Sequence, residues 1–171
     1  MTGTQTVVGV FKSMDDAQRA FDALQNKGFS RDEINFIANK DAHGAKADAA
    51  ADVAADAGIG AALGGVGGLL LSLVGLAIPG IGPILAAGPI VAALGGAGIG
   101  AAAGGLIGAL ADSGIPEEHA HQYAEGVRQG DILITVQADG SRADLASRLL
   151  DENGAVVPGP GAARVYDRTA R

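Results

Sequence analysis

The sequence contains no cysteine and no tryptophan, and aromatic residues make up only 4% of its 171 residues. Without cysteine the chain cannot form disulfides, thiolate–metal sites or a cysteine nucleophile. The few aromatic residues provide neither a platform for stacking nucleic-acid bases nor a tryptophan belt at a membrane surface. Several classes of function are therefore excluded before any motif is considered.

Positive charge is also scarce. Lys and Arg number 12 against 19 Asp and Glu, which gives a net charge of −7. No basic patch is available to neutralise phosphates, so we expect no nucleic-acid partner. Residues 1–5 lack the basic start of a signal peptide and lead into a strand-like run, which favours a cytoplasmic origin.

Glycine, by contrast, is abundant, with 28 residues. It does not recur at every third position as in collagen, and an apolar fraction of 48% argues against disorder. The glycine runs match neither G-x-G-x-x-G nor the Walker pattern, and residues 57–111 contain no Lys or Arg to meet a phosphate. Packing is the remaining explanation for the glycines.

The two ends of the chain predict an α+β fold. Residues 6–11 (TVVGVF), 33–38 (EINFIA) and 131–136 (DILITV) have the composition of strands, and residues 163–166 predict a last short one. Helices are predicted after Ser13, after Pro116 and over 142–153, each with a glycine past its end. Their apolar faces are Ala17, Ala20, Phe21 and Leu24; Ala120, Tyr123, Ala124 and Val127; and Ala143, Ala146, Leu149 and Leu150.

These ends have the pattern of two copies of one βα unit. Two βαβ halves in series predict a ferredoxin-like split sheet with helices on one face. Residues 1–45 form the first half, residues 115–171 form the second, and residues 46–114 separate them. Aligning Gly28 with Gly154 without a gap pairs Val8 with Ile134, Val10 with Val136, Ala17 with Ala143, Ala20 with Ala146 and Leu24 with Leu150.

The intervening segment predicts an Ala/Gly-rich helical hairpin. Residues 57–111 contain no charged side chain, and prolines interrupt them near the middle, which divides them into arms at about 57–78 and 89–111. An arm of about 22 residues is about 33 Å long as a helix, close to the roughly 30 Å hydrocarbon core of a bilayer. Small residues recur at every fourth position: Gly60, Gly64, Gly68 and Ser72 in the first arm, and Ala92, Gly96, Gly100, Gly104 and Gly108 in the second.

This spacing is typical of a glycine zipper. Glycine inside a helix costs about 1 kcal/mol relative to alanine, so the repeated small residues need a compensating contact. Close approach of helix backbones provides one, as in small-xxx-small membrane interfaces. We therefore predict a membrane-associated homo-oligomer that packs through these residues, with lipid as a further partner and both termini on the cytoplasmic side.

Two alternatives remain open. In one, many hairpins bury each other in a soluble cytoplasmic ring, shell or filament. In the other, the ferredoxin-like domain senses a small ligand. None of these three hypotheses is that of an enzyme.

The strongest candidate for catalysis or metal binding is the run Glu117-Glu118-His119-Ala120-His121. Histidines two positions apart on a helix point about 200° apart and cannot share an ion, and acidic residues in a first turn complement the helix dipole. We interpret the run as a solvated helix start. His43 is interpreted as a loop residue, Ser72 as a zipper position and Ser113 as a cap between helices, so no catalytic, cofactor or metal site is predicted.

Two regions resemble the general stress protein 17M-like family. The first comprises residues 6–11 (TVVGVF), 13–17 (SMDDA), 24–29 (LQNKGF) and 33–37 (EINFI), and the second comprises residues 114–118 (GIPEE), Tyr123 and residues 130–134 (GDILI). The chain is also similar to low-temperature-induced, glycine-zipper-containing bacterial proteins. The resemblance implies a bacterial stress-associated protein without assigned enzymatic activity, and it marks no catalytic residue.

Overall fold

The computed structural model of the chain describes residues 4–43, 74–78, 82–89, 105–156 and 163–167. The strands form one six-stranded sheet in the order β3-β4-β2-β5-β1-β6, and each neighbouring pair is antiparallel. The predicted α+β class is confirmed. The elements are β1 (Thr4–Phe11), α1 (Met14–Asn26), a 3-10 turn (Arg31–Glu33), β2 (Ile34–Asn39), β3 (Val74–Ile78), β4 (Gly82–Ala87), α2 (Gly105–Asp112), α3 (Glu117–Arg128), β5 (Ile132–Asp139), α4 (Gly140–Glu152) and β6 (Arg164–Asp167).

The sheet is buried on both faces. Val7 and Phe11 of β1 pack with α1 and α4 in what we call the α1/α4 core. Val8 and Val10 pack with α2 and α3 in the α2/α3 core. Because successive strand residues point to opposite faces, the two helix pairs lie on opposite sides of the sheet. This is why β1 is buried without interruption from its third residue onward.

The helices of the two ends form where the sequence predicts them. Ser13 caps α1 by accepting a hydrogen bond from the backbone N–H of Asp15. Gly28, Gly130 and Gly154 follow α1, α3 and α4 with positive φ angles, the conformation that commonly ends a helix. The three predicted apolar faces are all buried.

The helix positions paired in the predicted repeat occupy the same core, whereas its strand positions are paired wrongly. The paired alanines and leucines of α1 and α4 all lie in the α1/α4 core. Val8 and Val10, however, lie in the α2/α3 core, whereas their assigned partners Ile134 and Val136 lie in the other one. In β1 the last residue of the α1/α4 core is Phe11, three positions before the first residue of α1. In β5 the corresponding residue is Ala138, two positions before the first residue of α4. One extra residue exchanges the faces of a strand, so the alignment requires a gap.

The middle of the predicted helical hairpin is a pair of β-strands. Val74–Ile78, predicted as the end of the first arm, pairs with Gly82–Ala87, predicted as part of the turn, and Gly82–Ala87 in turn pairs with β2. The helical prediction is wrong for Val74–Ile78. The physical reason is pairing of backbone N–H and C=O groups at strand edges: β4 pairs with the edge of β2, and β3 pairs with the outer edge of β4.

The described end of the second arm is helical, as predicted. Its residues Leu106 and Leu110 are fully buried in the α2/α3 core, so α2 contributes to the folded unit as well as ending the apolar segment. Residues 57–73 and 90–104, which contain the remainder of the two predicted arms, lie outside the described residues. No helix in the described part of the chain combines the length and apolar character needed to cross a membrane.

A polar clamp joins α4 to the segment between α1 and β2. The Arg142 guanidinium donates to both carboxylate oxygens of Glu33, at 2.5 and 3.1 Å, and its carbon lies 4.6 Å from the centre of the Phe29 ring. Glu33 also accepts from the backbone N–H of Ser30 at 2.8 Å. The bond from Arg142 is the largest cause that holds the pKa of Glu33 below its ordinary value.

We expect Glu33→Gln to lower the free energy of unfolding near neutral pH by about 1 kcal/mol. The substitution removes a bidentate ion pair with Arg142 at a partly exposed site. The lowered pKa of Glu33 makes this contribution complete above about pH 5, and the contribution is lost as the pH falls through the folded-state value. Urea unfolding of both proteins at several pH values measures the difference. Asp32→Asn, at the exposed neighbouring residue, is the control, and a difference that persists unchanged at acid pH would contradict the assignment.

Candidate functional site

The sequence run with two histidines begins helix α3. Pro116 precedes the first turn, and Glu117 and Glu118 lie exposed within it, where carboxylates complement the helix dipole. The His121 side chain is 62% exposed and its Nε2 lies 3.9 Å from Glu117. The interpretation as a solvated helix start is confirmed for these residues. It is wrong for His119, whose side chain is only 24% exposed and contacts β6.

His119 connects two residues of β6 by hydrogen bonds. Its Nδ1 lies 3.2 Å from the hydroxyl oxygen of Tyr166, and its Nε2 lies 3.2 Å from Nη1 of Arg164. A guanidinium can only donate, so Nε2 accepts and the ring carries its proton on Nδ1. Nδ1–H therefore donates to Tyr166. The arrangement requires a neutral imidazole.

The network continues into the α2/α3 core. The hydroxyl oxygens of Tyr166 and Tyr123 are 2.8 Å apart. Tyr123 is buried, with only 3% of its surface exposed to solvent. Burial, followed by the hydrogen bond from Tyr166, raises the pKa of Tyr123 far above its usual value. Tyr123 thus remains an uncharged phenol over the physiological range. We call His119, Tyr123, Arg164 and Tyr166 the tyrosine–histidine network.

A second set of hydrogen bonds fixes the junction between α2 and α3 onto β1. The Thr6 hydroxyl donates to the backbone carbonyl of Ser113 at 2.6 Å, and the Ser113 hydroxyl donates to the carbonyl of Ala109 at 3.0 Å. Ser113 therefore acts at the end of α2, as the sequence predicts. The position of α2 on the sheet is set by this junction and by its two buried leucines.

The predicted zipper is represented by Gly108 alone, because Gly60, Gly64, Gly68, Ser72, Ala92, Gly96, Gly100 and Gly104 lie outside the described residues. A Cβ built at Gly108 meets no atom of the described chain within 4 Å. Gly108 thus makes no close helix contact with the residues that the structure describes. Whether it makes one with another molecule stays a prediction.

The described residues do not form a metal site, since no group of three suitable ligands occurs among them. The loop prediction for His43 is wrong, because residues 40–43 are helical. The His43 Nε2 lies 2.8 Å from the carbonyl oxygen of Gly130, the glycine that follows α3. A depression of about 430 Å³ lies on α1 and is lined by Gln18, four other residues of this helix and its cap Ser13. The buried Nε2 of Gln18 has no hydrogen-bond partner among the described residues. One helix defines one wall, so this depression does not specify a ligand.

Sequence reasoning placed Tyr123 on the buried face of α3 and Tyr166 at the end of the last strand, but it did not connect them. A buried tyrosine hydroxyl needs a hydrogen-bond partner. Because the chain has two tyrosines, this requirement was the feature of the sequence that could have indicated their contact. The contribution of Arg164 had no comparable signal, because a single arginine near the carboxyl end is compatible with many positions.

We expect Tyr123→Phe to destabilise the protein by about 1 kcal/mol near neutral pH, because Tyr166 loses a buried partner. The raised pKa of Tyr123 makes its contribution complete below about pH 10. At higher pH the unfolded chain ionises this phenol while the folded chain does not, so the wild type loses stability. Urea unfolding at about pH 8 and about pH 11 should show the gap between the two proteins closing. A gap that widens at the higher pH would refute this reading.

No family model, curated protein or solved structure matches the chain. The resemblance to general stress proteins accordingly depends on the sequence runs themselves. Any proposal about function has to be argued from the chain's own residues.

Proposed function

We propose that this chain is a non-enzymatic, self-associating protein whose α+β unit supports helix faces that contact other copies. The observation that carries the proposal is the orientation of α2. Leu106 and Leu110 point into the core, and Gly108, about 200° away from each around the helix, is left without a neighbour in the described chain. The side of α2 that carries Gly108 is therefore not covered by any described residue.

Energetics favour contact on this side of α2. A glycine within a helix is about 1 kcal/mol less favourable than alanine, and nothing inside the described unit uses the space that Gly108 leaves. A second helix can approach a bare backbone closely and gain dispersion and Cα–H···O contacts. Gly96, Gly100 and Gly104 stand at the same four-residue spacing before Gly108, which extends the proposed contact face along the chain.

The α+β unit itself is proposed to be ferredoxin-like. The support is its strand order, since β2, β5, β1 and β6 are adjacent in that order, with α1 joining β1 to β2 and α4 following β5. Both connecting helices pack on one face, as a split βαβ repeat requires. The β3–β4 pair and the α2–α3 pair are additions to this plan. A role in bacterial stress is proposed from the family resemblance alone.

The position of β4 bears on where the protein assembles. Residues 82–87 are paired with β2, so they cannot also form the far tip of a hairpin that crosses a bilayer. This supports the soluble assembly, in which the apolar segments of several copies bury each other in the cytoplasm. Membrane association remains the second candidate, because residues 57–111 carry no charge.

Gly108→Leu should reduce the particle mass measured by light scattering after size exclusion, since a large side chain separates helices that need close contact. Leucine is a better helix former than glycine, and a Cβ at this position meets no described atom within 4 Å, so the far-UV circular dichroism should be retained. Gly108→Ala adds a single methyl group and should have a smaller effect on mass. Ser141→Leu, which adds the same bulk at an exposed position of α4, is the matched control. An unaltered mass in Gly108→Leu would refute contact at this position.

Fractionation separates the two locations. For the soluble assembly we expect large particles in the supernatant after carbonate washing, with the same mass in the presence and absence of detergent. A membrane-associated oligomer would instead stay in the pellet until detergent releases it. Quantitative recovery in the pellet would therefore overturn the soluble form of the proposal while leaving self-association intact.

A further inference from the structure

Strand β6 is a short edge strand, and two of its side chains contact the ring of one histidine. It has four residues, it pairs with β1, and only Tyr166 among its side chains is buried. Arg164 and Tyr166 both bond to the His119 ring, through different nitrogens. Uptake of a proton at Nε2 would therefore act on the Arg164 contact, while the Nδ1–H bond to Tyr166 can persist in both states.

Of the charged groups near the His119 ring, the Arg164 guanidinium favours a neutral ring and the Glu118 carboxylate favours a positively charged one. Nε2 lies 3.2 Å from the Arg164 guanidinium and 3.8 Å from a carboxylate oxygen of Glu118. Tyr166 faces Nδ1, with Tyr123 behind it. The other acid–histidine pair of the helix, Glu117 and His121, forms a separate contact.

We infer that His119 is a pH-sensitive latch for β6. The neutral ring accepts from Arg164 and donates to Tyr166, which holds the strand against α3. When Nε2 takes up a proton from water it becomes a donor and can no longer accept from Arg164. The charged ring then pairs with Glu118, and the like-charged guanidinium moves away. Loosening of β6 uncovers the outer edge of β1, a row of backbone groups able to pair with another strand.

The test uses the full chain between about pH 8 and about pH 5, which brackets the ordinary titration of an imidazole. Imidazole NMR signals follow His119, one of three histidines. Amide exchange of β6, corrected for its intrinsic pH dependence, should accelerate about tenfold or more as His119 is protonated, while amides shared by β2 and β5 remain protected. Because the chain has two tyrosines and no tryptophan, the tyrosine circular dichroism band reports on this network and should weaken in parallel.

His119→Gln cannot take up the proton, so its β6 exchange should show no transition. His121→Gln, on the exposed side of the same helix, should behave as the wild type. Protonation of His119 without faster β6 exchange, or an unchanged transition in His119→Gln, would overturn the inference. If His119→Gln does not fold, Glu118→Gln decides the matter, because its exposed side chain can be changed without disturbing the core. Its transition should move to lower pH by a few tenths of a unit, and an unmoved transition would count against the latch.

Discussion

The structure depends on the burial of one strand pair, β1 and β5, from both sides. Their antiparallel pairing runs over the whole length of β1, and alternate residues supply two separate cores. The remaining elements attach to this pair. A fully buried Leu or Val contributes about 1.5–3 kcal/mol, so losing contacts on either face would remove a large share of the small net stability of a domain.

Two-sided burial also explains which parts of the fold could be predicted. Helices with one buried side keep the 3.6-residue period that reveals their core residues, and the faces of α1, α3 and α4 were recognised for this reason. A strand buried on both sides loses the alternation that would identify its faces. Val8 and Ile134 are equally apolar, so nothing in their composition showed that they belong to opposite cores.

The β3–β4 pair shows a different limit. Residues 74–87 belong to a segment without charge, in which a helix period and a strand period cannot be separated by polar residues. What selects the strands is pairing with a partner, β4 with the edge of β2 and β3 with β4, and the location of that edge follows from the tertiary structure. Local propensity was insufficient for these residues. The tyrosine–histidine network was predictable to the extent that buried hydroxyls demand partners, whereas the identity of those partners required the sheet order.

The inner and outer surfaces of α2 and α3 differ in how they are packed. Toward the sheet, α2 and α3 contribute large apolar groups, and the polar atoms there are joined to each other, as in the Tyr123–Tyr166 and Thr6–Ser113 bonds. Away from the sheet, Gly108 contributes no side chain at all. A second helix backbone packed against Gly108 would gain dispersion contacts there, which is the physical reason for proposing self-association through this side of α2.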